Sequence, residues 1–399
     1  MKPIFNSLGS NYSFGFALKA VGSLFMPNIG AQSALRQELG KRFGGEALLV
    51  YKGRDAIQCA LEGFGIGQGD VVLTQAFTCC AIEEAILRTG AVPLFVDVEK
   101  GGLNLSVGGL RTAYAEAKHP KAVIVQNTLG VPADIEGIRR WCDENKLLLI
   151  EDLAQSVGAV SREGKALGLY GDVVVLSFGR DKVIDAVSGG AVIFRQPASR
   201  KPKVNGKVGV GIIIKDMVYP ILTWKIRKTH NFLLGKVILR MFRDVGLMTS
   251  AVASSTKTAA PMPAPYARLA LRQLRNLDRE LTHRREISKA YLDYLDSKAV
   301  GILINPSVVR NGANLRLPLW TENPDELLKY LKRKSIYLAD RWYRSPVDCG
   351  RLSVKGTYKC GSCSNAEKLS EKIINLPTHT NVEKGDAIRI AKAINHYLK

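Results

Sequence analysis

Val173-Val174-Val175-Leu176-Ser177-Phe178-Gly179-Arg180-Asp181-Lys182 is the stretch on which the reading of this chain turns. Its first four residues are short, apolar and β-branched, preceded by Gly171-Asp172, and they predict a buried strand. The strand ends on a hydroxyl, and five residues later the chain presents Lys182, ahead of the pair Gly189-Gly190. A serine at a strand end can hold a phosphate, and a lysine amine can condense with a carbonyl. Upstream, Leu147-Leu148-Leu149-Ile150 predicts a second buried strand, which runs into Glu151-Asp152-Leu153-Ala154-Gln155. An acid at one strand end and a lysine near another suit pyridoxal phosphate, which needs an Asp on its ring nitrogen and a Lys on its aldehyde. Either residue alone reads as surface. The pairing carries the argument.

Composition sets the outer bounds. A chain of 399 residues, 46% hydrophobic, can bury a large domain and a smaller one, and it is globular in character. Seven irregularly spaced cysteines argue against a disulfide framework and for a reducing compartment, so the cytoplasm is expected. Met1-Lys2-Pro3 does not open like a signal peptide. The net charge of +21 favours phosphate-bearing partners, yet no nucleic-acid-binding signature accompanies it, and no nucleic acid is expected.

Outward from the opening stretch, strands and helices alternate. Leu48–Tyr51 predicts a strand, Lys52-Gly53-Arg54-Asp55 a turn, and Ala56–Phe64 a helix, an arrangement that seats a phosphate on backbone N–H groups. Gly65–Asp70 lacks dinucleotide-loop spacing and follows a helix, so it reads as a plain loop. Further strands at Val71–Leu73, Val92–Phe95 and Ala122–Val125 alternate with helices at Cys80–Thr89 and Ile135–Asn145. The fold class is therefore α/β, with a mostly parallel sheet whose ligands sit at the strand carboxyl ends. Gly53, Thr78, Asp152, Ser177 and Lys182 all fall there.

Residues 196–250 break the rhythm with apolar runs interleaved with Lys and Arg, and no run is long enough to span a membrane. Leu234, Ile238 and Met241 share one helical face while Lys236, Arg240 and Arg243 gather elsewhere. Two readings stay open: an inserted helical pair packed on the protein or its dimer partner, or a peripheral contact with the inner membrane face through 204–245. After a linker at 251–265, a long helix over 266–296 and mixed elements predict a smaller α+β domain. The expected division is 1–255, with the insertion at 196–250, and 256–399.

On these residues the chain resembles the DegT/DnrJ/EryC1/StrS family, sugar aminotransferases of fold type I. Gly65-Ile66-Gly67-Gln68-Gly69-Asp70 resembles the family's G-I-G-P-G-D, Ala76-Phe77-Thr78 its S-F-T, and Val96-Asp97-Val98 its F-V-D-V. Gly130–Asp134 is similar to G-Q-P-A-D, Ile150–Ser156 to I-E-D-A-A-Q-A, and Leu176–Lys182 to F-S-F-x-x-x-K. Cys363–Glu367 and Leu376–His379 resemble C-P-x-A-E and L-P-x-H. The resemblance implies a seven-stranded sheet and a homodimer. It assigns Lys182 to the cofactor's aldehyde and to proton shuttling, Asp152 to the ring nitrogen and Gln155 to the phenolic oxygen. Ser177, with the backbone at Gly53 and Arg54, would hold the phosphate, and the Arg54 guanidinium is a further cation that could contact it directly. The implied activity moves an amino group from an amino acid such as glutamate to a keto-sugar nucleotide, for amino-sugar and surface-polysaccharide synthesis.

Three departures stand out. Arg54, preceded by Lys52, replaces a small hydroxyl at the phosphate turn; Cys79 and Cys80 follow Phe77-Thr78 where an aromatic often stacks on the ring; and 196–250 occupies the region of a partner-reaching Asn loop. Phe77 or Cys79 is left to supply the ring contact. These departures motivate an alternative, a PLP-fold protein without turnover acting as a membrane-associated partner. Cys349, Cys360 and Cys363 lack a fourth ligand at zinc spacing, so no metal is expected. His379 reads as structural, and Arg341-Trp342-Tyr343-Arg344 as either an anion site or a half-exposed surface.

Overall fold

The computed structural model describes residues 2–27, 29–230, 235, 240, 258–296, 301–302, 305–338, 341–348 and 356–398. After the short β1 (Ile4–Phe5), seven strands form one sheet: β2 (Glu46–Val50), β3 (Val71–Gln75), β4 (Val92–Val96), β5 (Pro120–Gln126), β6 (Leu148–Asp152), β7 (Val173–Ser177) and β8 (Gly190–Phe194). Their order is β2-β8-β7-β6-β5-β3-β4. Pairings among β3 to β7 are parallel, whereas β8 runs antiparallel to both β7 and β2. Alternate residues feed opposite cores, because side chains on a strand alternate in direction. Leu73, Val123, Leu149 and Val174 join one cluster, while Val72, Ile124, Ile150 and Val175 join the other. Burial on both faces explains why the sequence shows continuous apolar runs there.

Helices cover both faces: α1 (Phe14–Gly22), α2 (Ala31–Phe43), α3 (Gly53–Gly63), α4 (Cys80–Arg88), α5 (Val107–Glu116) and α6 (Ile135–Glu144). The Asp134 carboxylate accepts from Gly137 N at the start of α6, and the Ser106 hydroxyl accepts from Gly109 N at the start of α5. Within the region set apart as an insertion lies α7 (Val210–Thr229), which buries Met217, Tyr219, Thr223 and Ile226. It packs along α1, with Phe14 and Trp224 rings 4.7 Å apart. Arg227 donates to the carbonyls of Leu8, Gly9 and Tyr12. The described part of the insertion thus packs on its own chain. The amphipathic pattern at Leu234, Ile238 and Met241 lies outside the described residues.

The helix expected over 266–296 is two: α8 (Ala264–Arg275) and α9 (Leu277–Tyr294), parted at Asn276. The Asn276 amide donates to Arg272 O at 3.0 Å, the local bond by which Asn interrupts a helix. Beyond it, β9 (Gly301–Ile302), β10 (Arg316–Trp320) and β12 (Ile373–Pro377) form an antiparallel sheet in the order β12-β10-β9. Between β10 and β12, β11 (Ile336–Tyr337) pairs in parallel with β1, so the first residues of the chain are tied into its C-terminal part.

Candidate active site

Lys182 stands in the loop between β7 and β8. The loop holds two residues in the left-handed region, Asp181 (φ 64), which tolerates it, and Val187 (φ 72), whose β-branched side chain is strained there. A buried carboxylate pins it. Asp185 accepts from the Tyr12 hydroxyl (2.7 Å), Asn11 Nδ2 (3.2 Å), and the backbone N–H groups of Asp181 and Val187 (2.9 Å each). Burial, and then the Asp181 charge, push the Asp185 carboxyl up to about 7. Asn11 also donates to the Lys182 carbonyl at 2.8 Å. The fold thus makes the segment around residue 11 the brace of this loop.

Asp152 ends β6, two strands from β8, and is buried. Its Oδ2 accepts from Gln126 Nε2 (3.1 Å) and its Oδ1 from Ala154 N (2.9 Å). Gln126 in turn accepts from the Thr78 hydroxyl at 2.5 Å. Burial raises the Asp152 carboxyl, opposed by the Ala154 N–H, the Lys182 charge and the Gln126 amide. Burial lowers the Lys182 amine, opposed by the charges of Cys79 and Asp152 and assisted by Arg316. Lysine and acid therefore feel one another's charge in a buried setting.

Along the same carboxyl edge, toward β2, Gly53 opens α3 beside Ser177. A Cβ on Gly53 would lie 2.8 Å from Ser177 Cβ and 2.9 Å from its Oγ, so only glycine permits this approach. A Cβ on Gly190 would meet Lys52 O at 2.7 Å, for the same closeness of β8 to the turn. The result is a helix N-terminus with a serine hydroxyl against it, which suits a phosphate. The Arg54 guanidinium is turned away onto Glu84, within a chain of ion pairs that continues through Arg88 to Asp55.

The site's cover comes from the C-terminal part. Val347 and Asp348 donate to the carbonyls of Ala76 and Thr78 (2.9 and 2.8 Å), laying 341–348 along the loop after β3. The Trp342 ring carries Lys182 Nζ at 4.8 Å and the Arg316 guanidinium at 4.2 Å. Tyr343 meets Phe77 edge-on at 5.3 Å, and its hydroxyl accepts from Gln155 Nε2 at 2.6 Å. Gln155 Oε1 accepts from Leu129 N at 2.7 Å. Cys79 precedes α4, its thiol lowered to about 7 by the Cys80 thiol, the Ala81 N–H and the Lys182 charge against burial.

The structure thus gathers Lys182, Asp152, Gln155, Phe77 and Cys79 at the carboxyl edge of the sheet, with Ser177 and Gly53 farther along the same edge toward β2. Trp342 and Tyr343 join them, a role that sequence left open between an anion site and a surface. His379 is buried, its ring against Phe5 O at 2.9 Å, and burial pushes its pKa well down, as suits a structural residue. Cys363 is buried, Cys360 is exposed, and Cys349 lies outside the described residues. The donor set fits pyridoxal phosphate: a lysine beside a buried acid, a polar side chain at Gln155, and a glycine cradle with a hydroxyl.

The family model for "DegT/DnrJ/EryC1/StrS aminotransferase family" matches residues 33–205 and 236–395. A UDP-N-acetyl-3-dehydro-alpha-D-glucosamine 3-aminotransferase from Acidithiobacillus ferrooxidans is 35% identical over 154 residues, 39% of this chain and 41% of the relative. Over that match the chain spans about two fifths of the relative's length. A dTDP-3-amino-3,4,6-trideoxy-alpha-D-glucose transaminase from Streptomyces venezuelae is 25% identical over 359 residues, 88% of this chain and 82% of the relative. The solved structure of S. venezuelae DesV with a ketimine intermediate superposes with a TM-score of 0.72 at 23% identity, covering 96% of this chain and 94% of that one. The last likeness establishes the fold, and the family match covers most of the chain: this protein belongs to the DegT/DnrJ/EryC1/StrS aminotransferase family, whose cofactor is pyridoxal phosphate.

Proposed function

We propose that this protein is a pyridoxal-phosphate-dependent aminotransferase that moves an amino group from an amino acid, glutamate in the first instance, to a keto-sugar nucleotide. The observation that carries the reading is the Lys182 ammonium over the Trp342 ring, within reach of the charge of the buried Asp152 carboxylate. When bound, the cofactor supplies an electron sink and a carrier for the amino group.

Lys182 would hold the cofactor through its Nζ and then serve as base and acid at the substrate carbon. The lowered pKa of its amine suits both roles, since the neutral amine is the form that attacks and that accepts a proton. Asp152, held by Gln126 and Ala154, would keep a proton on the ring nitrogen. Gln155 would donate toward the phenolic oxygen, and Phe77 and Cys79 would border the ring. Ser177 and the backbone N–H groups at Gly53 and Arg54 would hold the phosphate. The 341–348 segment would exclude water from the lysine.

Homodimerisation, a cytoplasmic setting and a peripheral membrane contact through 204–245 belong to the same proposal. Phe25, Ile29 and Val210 are exposed apolar side chains available to either contact. No helix among the described residues is long and apolar enough to cross a membrane. Gel filtration and liposome flotation separate the two contacts. The function itself is tested by absorption spectra of cofactor-loaded protein before and after L-glutamate, beside Lys182→Ala. A visible band that glutamate shifts, absent in the variant, is expected. A band that no amino donor changes would remove turnover and leave the alternative of a non-catalytic partner protein.

A further inference from the structure

Residues 206–235 fall between the two segments that match the family, and α7 lies within them. This helix nevertheless reaches the phosphate end of the site. Asp216, buried in its second turn, pairs with Arg180 Nη2 at 2.7 Å. Its other oxygen accepts from the hydroxyls of Tyr51 (3.1 Å) and Tyr266 (2.9 Å). Arg180 lies two residues before Lys182, and Tyr51 precedes Lys52, the residue from which α3 springs. A buried charge network that α7 completes therefore abuts the cradle of Gly53 and Ser177.

Lys52 is the member of that network whose ammonium has no carboxylate of its own. Among the described residues that ammonium makes no ion pair or hydrogen bond; its contact is with the face of the Tyr51 ring, 4.6 Å from the centroid. Its charged neighbours are already engaged: Arg180 with Asp216, Arg54 with Glu84, Asp55 with Arg88. Burial lowers the Lys52 amine to about 8, with Asp216 acting the other way to keep it charged. An ammonium without a carboxylate partner, carried by the residue that caps α3 and precedes the Gly53 that packs on the Ser177 hydroxyl, is the complement of a dianion.

We propose that Lys52 is the ion-pairing residue for the phosphate of the cofactor, held in place by the network that Asp216 of α7 completes. The proposal rests on the reading of the site as a pyridoxal phosphate site and adds to it a cation from the residue before Gly53. On this account the segment outside the family match is part of the cofactor site.

The test compares equilibrium binding of pyridoxal phosphate with that of pyridoxal, which lacks the phosphate, to full-length wild type, Lys52→Met and Lys52→Arg. Wild type is expected to prefer pyridoxal phosphate strongly. Lys52→Met should weaken pyridoxal phosphate by about tenfold or more while changing pyridoxal by less than about twofold. Lys52→Arg, which keeps the charge, should recover most of the preference. A wild type that prefers pyridoxal phosphate, with a Lys52→Met variant that keeps the whole preference, overturns the proposal and leaves the aminotransferase reading intact. Equal weakening of both ligands overturns it too, since that pattern marks a structural residue. A wild type that binds neither ligand overturns both readings.

Discussion

Replacing Asp216 with asparagine asks whether α7 is part of the large domain or merely attached to it. Side-chain exposure is 8% for Arg180 and 7% for Asp216, so the pair is shielded from water and salt. Asparagine keeps an acceptor oxygen, so the hydroxyls of Tyr51 and Tyr266 retain a partner. Arg180 loses its countercharge, although its guanidinium stays over the Tyr219 ring at 3.7 Å. Removing one member of a buried pair costs about 3–5 kcal/mol, and the retained hydrogen bonds and ring contact place the expected loss near the lower end, about 3 kcal/mol. That is a large share of the ~5–15 kcal/mol that holds a typical domain folded. The double variant Asp216→Asn/Arg180→Met should be less destabilised than the two single losses combined, by about 2 kcal/mol, because neither member of the pair is left as a buried charge without the other. Urea denaturation of the apoprotein followed by circular dichroism measures all four proteins. A loss below about 0.5 kcal/mol in Asp216→Asn, or strict additivity in the double variant, refutes the argument that this pair anchors α7.

Other consequences follow from the same geometry. Gly53→Ala should cost about 1–3 kcal/mol of stability and weaken pyridoxal phosphate binding, because its methyl would meet Ser177 at 2.8 Å; titration of the apoprotein reads the second effect directly. Cofactor binding should quench tryptophan fluorescence through Trp342, and Trp342→Phe should remove more than about half of that quench, given its ring 4.8 Å from Lys182 Nζ. Lys52, lowered from 10.5 to about 8, binds its proton less tightly in the folded state. Between those two values the unfolded chain holds more protons, so this residue's burden on the apoprotein is full below pH 8 and fades as pH rises to 10.5. Lys52→Met should therefore be more stable than wild type at pH 7, with the gain shrinking across that window, as denaturation midpoints against pH would show.

Sequence by itself determined the sheet and which residues stand at its carboxyl edge. Buried parallel strands must be apolar on both faces, so Val173–Leu176 and Leu147–Ile150 could be recognised without any partner in view. The residues directly after them, Ser177, Lys182, Asp152 and Gln155, were thereby placed at the strand ends, and the described elements agree to within a residue or two. The break at Asn276 was not legible, because Arg272, the acceptor of its side-chain bond, looks from sequence like any helical residue. Nor were the supports of the site. Asp185 and Asn11 brace the lysine loop across 174 residues of chain, Gln155 meets Tyr343 across 188, and Asp216 reaches Tyr51 across 165. Bonds of such separation leave no periodicity and no local motif. They arise when distant segments are brought into one low-dielectric interior, where an unpaired polar group is costly and each must find a partner. Only the tertiary structure decided which partners those were, and that Arg54 would turn to Glu84 while the Lys52 ammonium lay over the Tyr51 ring.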